Sequence, residues 1–123
     1  MITGAHFLLY SSEPERDRAF LRDVLRFRSV DIGDGWLIFA LPASELAVHP
    51  ADDNFVQRHA DHNLAGHILY LMTDDLHAEI ELLRAQGVEC GELGSAEWGS
   101  WTTLPLPSGA EIGLYEPTHE TAI

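Results

Sequence analysis

The feature that most constrains this chain is an internal repeat. Trp36-Leu37-Ile38-Phe39-Ala40-Leu41-Pro42 and Trp101-Thr102-Thr103-Leu104-Pro105-Leu106-Pro107 both read Trp, four residues, Leu-Pro, and Glu45-Leu46-Ala47-Val48 returns as Glu111-Ile112-Gly113-Leu114. His6 and His67 each stand near the start of the first apolar run of their half. Two similar modules in 123 residues imply pseudo-twofold packing and not a solenoid, which needs about three or more stacked repeats. The chain is then one ordinary domain, long enough to bury a core without disulfides or a structural metal.

Each half carries the same order of elements. Thr3 to Tyr10 is apolar and aromatic and reads as a strand. Ser12-Glu13-Pro14-Glu15 has the form of a capping box. The helix after it is striped by Phe20, Val24 and Phe27, while Arg16, Asp17, Arg22 and Asp23 mostly face water. Strands follow near Ser29 to Ile32, Trp36 to Leu41 and Glu45 to His49, with a turn at Gly33-Asp34-Gly35. In the second half Gly66 to Leu71 is a strand, and Thr73-Asp74-Asp75 caps a helix striped by Leu76, Ile80 and Leu83. Gly87 ends that helix as a left-handed cap, and strands follow at Val88 to Glu92, Ser100 to Leu106 and Ala110 to Glu116. Both halves are βαβββ: module one about 1–50, module two about 66–117, a short tail at 118–123, and a polar, aperiodic linker at about 51–65.

Composition narrows the chemistry. Twenty Asp and Glu face seven basic residues, all arginine, for a formal charge of −13. Such a chain repels phosphate backbones, so nucleic-acid binding is disfavoured, whereas a cationic ligand is drawn in. Without lysine there is no Schiff-base catalysis and no lysine-anchored pyridoxal cofactor. No apolar run approaches the ~20 residues that cross a bilayer, so no membrane partner is expected. The single cysteine, Cys90, cannot form an intrachain disulfide, and no secretory leader is apparent, which leaves a cytoplasmic location as the expectation. No Gly-x-Ser-x-Gly elbow, P-loop or dinucleotide fingerprint occurs, so hydrolase and nucleotide-binding readings have no support.

In this order, Ala5-His6-Phe7-Leu8-Leu9-Tyr10, the helix around Arg18-Ala19-Phe20, His67 to Leu76, and the ending Pro107-Ser108-Gly109-Ala110-Glu111-Ile112-Gly113-Leu114-Tyr115-Glu116-Pro117 resemble the vicinal oxygen chelate superfamily. That superfamily includes glyoxalase I, fosfomycin-resistance enzymes, extradiol dioxygenases and bleomycin-binding proteins, and the resemblance covers nearly the whole chain. It implies an α+β fold of two βαβββ modules with pseudo-twofold symmetry forming a cupped mixed sheet, with a small-molecule ligand in the cup and, usually, a homodimer. Enzymatic members hold a divalent metal with a histidine from each module's first strand and carboxylates from the last strands.

Residue by residue, His6 and His67 match the histidine seats, with core packing as their alternative. The family's carboxylate seat falls on Gly113, and the internal repeat makes Ala47 the equivalent seat in module one. Both lack a carboxylate. A two-histidine, one-carboxylate triad for ferrous iron is therefore not supplied where expected, and ring-cleaving dioxygenase activity is disfavoured. Displaced donors share faces with those seats: His49 or Glu45 as the further metal ligand beside His6 and His67, and Glu45 or Glu111 as general base, for Zn²⁺, Ni²⁺, Mn²⁺ or Fe in a glyoxalase-type lyase, isomerase or transferase. The other reading is a binder without chemistry. Small residues at the seats open volume, and Trp36, Trp98, Trp101 and Tyr115 line it and stack on a planar ligand. Trp98, in a Glu97-Trp98-Gly99 loop, is the better contact, since Trp36 and Trp101 occupy repeated strand positions suited to core packing. His59 and His62 read as a solvated loop, His77 and His119 as exposed, and Cys90 as buried and inert.

Overall fold

The computed structural model describes all of residues 1–123 and divides into two compact units. The first comprises Met1–Ala40 with Leu106–Ala110, and the second Leu41–Pro105 with Glu111–Ile123.

In the first unit, helix α1 spans Pro14–Asp23. Proline favours the first helical position because its fixed φ suits the helix and its missing N–H would be unpaired there. Pro14 thus makes Glu13 the N-cap, and the capping box expected from Ser12 and Glu15 does not form. Instead the Ser11 hydroxyl accepts from the Glu13 amide at 3.0 Å. The helix stops before its apolar stripe does, with Arg26 in the left-handed region at φ 62°. Phe20 is buried, and so is Asp17, against the expectation that it faces water. Asp17 is buried because it has a specific partner: its carboxylate accepts from the Ser108 amide at 2.9 Å and from the Ser108 hydroxyl at 2.6 Å. Ser108 sits in the loop 106–110, closed by the Leu106 amide on the Ala110 carbonyl (2.8 Å), with Gly109 at φ 96°. Strands β1 (Ser29–Asp31) and β2 (Leu37–Phe39) pair antiparallel around the expected Gly33-Asp34-Gly35 turn. All three turn residues have positive φ, which two glycines and an aspartate tolerate.

In the second unit, β3 (Val56–His59) and β4 (His62–Ala65) form a hairpin, so the expected linker carries structure. His59 lies across from His62, and the two turn residues, Ala60 and Asp61, take φ of 48° and 63° as a primed turn demands. A four-stranded sheet follows in the order β5-β8-β7-β6: β5 is Tyr70–Met72, β6 Gly94–Ala96, β7 Gly99–Pro105 and β8 Glu111–Pro117. β5 runs parallel to β8, and the other pairings are antiparallel. Helix α2 (Leu76–Ala85) buries the anticipated stripe of Leu76, Ile80 and Leu83, worth roughly 1.5–3 kcal/mol per side chain. Two carboxylates serve its amino end: Asp75 accepts from the Ala78 amide at 2.9 Å, and Glu116 of β8 accepts from the Leu76 amide at 2.8 Å. Gly87, at φ 82°, turns the chain out of the helix as expected.

Thr102, Leu104, Ile112 and Leu114 are buried on β7 and β8. Alternation puts these residues and Glu116 on the face that meets α2, and Trp101, Thr103, Gly113 and Tyr115 on the other. The segments 3–10 and 45–49, expected as strands, join no ladder, and residues 88–92 meet β7 through Gly91, whose amide donates to the Thr103 carbonyl (2.9 Å) and whose carbonyl accepts from the Thr102 hydroxyl (2.7 Å), strand pairing beginning at Gly94. A strand exists only with a partner for its backbone groups, and apolar patterning alone cannot supply one.

Candidate ligand-binding site

The face of the four-stranded sheet turned away from α2 gathers four of the second unit's aromatic residues. Trp101 of β7 stands across from Tyr115 of β8, and Tyr70 of β5 is the parallel partner of Gly113. Trp98 lies 4.6 Å from Trp101, centroid to centroid, with ring planes 13° apart. Tyr115 meets Trp98 edge-on at 5.9 Å and Tyr70 edge-on at 5.5 Å. His119 stacks beside Tyr115 at 6.3 Å. Offset stacks and T-shaped contacts at these separations match the quadrupoles of the rings and fix one ring against the next.

Glycines explain how such rings fit. A Cβ at Gly113 would run into the Tyr70 ring, and one at Gly94 into the indole of Trp101. The volume that a small residue at Gly113 was expected to open is therefore not open space. Tyr70 fills it.

One carboxylate reaches this aromatic face. Glu45 accepts from the Tyr115 hydroxyl at 3.5 Å and from the Ala122 amide at 2.7 Å, with the His119 Nε2 3.9 Å away. Its side chain is 18% exposed. Burial first, then the negative charge of Glu45 and the hydrogen bond to it, push the Tyr115 phenol above its usual pKa, so it remains a neutral donor at physiological pH. The tail is drawn over the same edge: the Thr118 amide donates to the Trp98 carbonyl at 3.0 Å and the Thr118 hydroxyl to the Glu97 carbonyl at 2.6 Å.

The structure thus brings together Trp98, Trp101, Tyr115 and Glu45 among the residues singled out from the sequence. Trp36 belongs to the first unit, where the Arg18 guanidinium lies 4.6 Å over its ring as a cation–π pair. Glu111 is exposed at the start of β8. His6 and His49 are exposed, as is His67, whose Nδ1 lies 3.5 Å from the Ala65 carbonyl. Sequence reasoning missed Tyr70 and His119. The signal for Tyr70 is its parallel register with Gly113, which no local pattern reveals; for His119 it is the four-residue spacing from Tyr115. Cys90 is half-buried, and burial pushes its thiol up despite Arg84 nearby, as suits an unreactive cysteine.

Solved structures share the architecture. TnmS3, an antibiotic-binding protein from Streptomyces sp. CB03234, superposes with a TM-score of 0.62 at 24% identity, covering 96% of this chain and 99% of its own. Lactoylglutathione lyase from Agrobacterium tumefaciens does so with a TM-score of 0.60 at 15% identity, covering 93% of this chain and 92% of its own. A glyoxalase/bleomycin resistance protein from Streptomyces sp. CB03234 gives 0.54 at 24% identity, over 87% and 94%. The fold is that of the glyoxalase and bleomycin-resistance proteins. No protein-family model matches the sequence, and no curated protein matches it significantly.

The glyoxalase and bleomycin-resistance fold raises the question of a divalent metal. At Gly113, the carboxylate seat expected from the resemblance, the Tyr70 ring occupies the Cβ position, and no three His, Cys, Asp or Glu side chains stand together as a metal ion requires. The residues present do not fit such a metal. No helix is long and apolar enough to cross a membrane.

Proposed function

We propose that this chain is a resistance- or sequestration-type binder that captures a small planar aromatic molecule on the aromatic face of the β5-β8-β7-β6 sheet, without a resident metal. The observation that carries this is the exposure of Trp98 within its ring cluster. The indole stacks on Trp101, Tyr115 makes a T-shaped contact with it, and the residue stays 45% exposed. A large flat ring held by ring neighbours and still partly exposed binds a second ring at little entropic cost. The likeness to a protein described as antibiotic-binding supports the same reading.

We also propose that it works as a homodimer in the cytoplasm. Leu8, Leu9 and Tyr10 of the first unit, and Leu46 and Val48 of the second, are exposed at 43%, 47%, 62%, 85% and 90% on strand-patterned segments that lack a ladder. Soluble proteins rarely leave such apolar segments uncovered.

Binding is tested by tryptophan fluorescence during titration with a neutral planar tricyclic dye. Saturable quenching is expected, with affinity about ten-fold weaker in Trp98→Ala, in line with the loss of roughly 1.4 kcal/mol of stacking. Unchanged affinity in the variant would remove Trp98 from the site.

A further inference from the structure

Resting on the aromatic-face reading, we propose that the site selects planar cations, and that Glu45 is the residue that reads the charge.

Glu45 combines features that are rarely found together without a cationic partner. It is mostly buried, yet none of the arginines that pair with carboxylates elsewhere is its partner. Arg16, Arg22, Arg58 and Arg84 serve Glu13, Asp23, Asp61, and Glu81 with Glu89. Its one basic neighbour is His119 at 3.9 Å, which is charged only when protonated. An ionised carboxylate offers about four acceptor positions. Here one takes the Ala122 amide at 2.7 Å, and a second takes the Tyr115 hydroxyl at the long distance of 3.5 Å. Acceptor capacity is left over on a half-buried carboxylate beside the aromatic face, where a further donor can be taken up.

The surroundings supply the other half of cation recognition. The Tyr115 ring bridges Glu45 to Trp98, meeting the indole at 5.9 Å while its hydroxyl points to the carboxylate. A ring stacked on Trp98 and bearing a protonated nitrogen would gain π-face attraction to the indole and a charge-assisted hydrogen bond to Glu45 together. The formal charge of −13 adds long-range attraction for the same class of ligand.

The test uses two planar dyes of matched ring area, a cationic aminoacridinium and a neutral tricycle, titrated into the wild type, Glu45→Gln, Trp98→Ala and Glu81→Gln. Glu81 is exposed on α2, which packs on the opposite sheet face, so E81Q matches the change in net charge without touching the site. E45Q is expected to weaken the cation about ten-fold or more, to leave the neutral dye within about two-fold, and E81Q to change neither. W98A weakens both. If E45Q leaves the cation's affinity unchanged, or shifts both dyes equally, while W98A still weakens both, charge selection is overturned and the aromatic site stands. If W98A changes neither dye, the site itself is lost, and the proposal with it. Should E45Q fail to fold, the wild type alone decides at ~1 M salt, where the Debye length is about 3 Å. A preference for the cation that survives supports a partly buried partner, and one that vanishes overturns it in favour of net charge.

Discussion

Gly113 and Tyr70 show how one residue choice commits a site. Gly113 stands where the resemblance led us to expect a metal-binding carboxylate, and a tyrosine ring from the neighbouring parallel strand occupies the space a side chain there would need. Restoring the carboxylate alone should therefore restore nothing. Gly113→Glu is expected to cost about 1–3 kcal/mol in chemical denaturation through overpacking. Tyr70→Ala should remove much of that cost when combined with it, giving a coupling energy above roughly 0.5 kcal/mol in a double-mutant cycle. Strict additivity would show that the ring and the glycine do not share the space. The aromatic residues were legible in the sequence because the chain has only three tryptophans, but their grouping was not. Trp36 and Trp101 hold equivalent places in the repeat, yet one lies beneath an arginine and the other in a ring stack.

Among the elements, both helices and the last two strands were legible because each has a local cause: proline at a helix start, an apolar stripe, a glycine at a helix end, alternation along a strand. The β3–β4 hairpin was not, since its turn uses Ala60-Asp61 where glycine or asparagine is the usual signal. Nor was the link from α1 to the 106–110 loop, whose partners are 91 residues apart. Ser108→Ala is expected to cost about 2 kcal/mol at neutral pH, because it removes a hydrogen bond to a buried charge. Burial alone would raise the Asp17 pKa. The hydrogen bonds from the Ser108 and Ser11 hydroxyls and the Ser108 amide, with the Arg16 charge, outweigh it and hold the carboxyl below its usual range. A carboxyl depressed in the folded state stabilises above its unfolded pKa of about 3.9, and that contribution is lost as pH falls through the folded value. The gap between wild type and S108A, read from urea midpoints, should thus be full near neutrality and narrow below about pH 4. A gap constant down to pH 2 would mean that Asp17 is not the charge involved.

For the whole molecule, the uncovered apolar segments predict a mass in light scattering of about twice 13.7 kDa. Replacing Leu46 and Val48 with lysine should shift the mass toward the monomer while the secondary-structure spectrum is kept. A wild-type monomer at micromolar concentration would overturn the dimer. The sheet order also bears on how the chain is made. β8 is the last strand of its sheet in the sequence but lies inside it, and β5 has no other neighbour. While the protein emerges from the ribosome, β6 and β7 can zip as a hairpin, but β5 must wait unpaired until residues 111–117 are released. The aromatic face therefore comes into being only once β8 has been made, by closure of a long loop, and a nascent chain stalled upstream of β8 would expose an open strand edge to chaperones or to other chains.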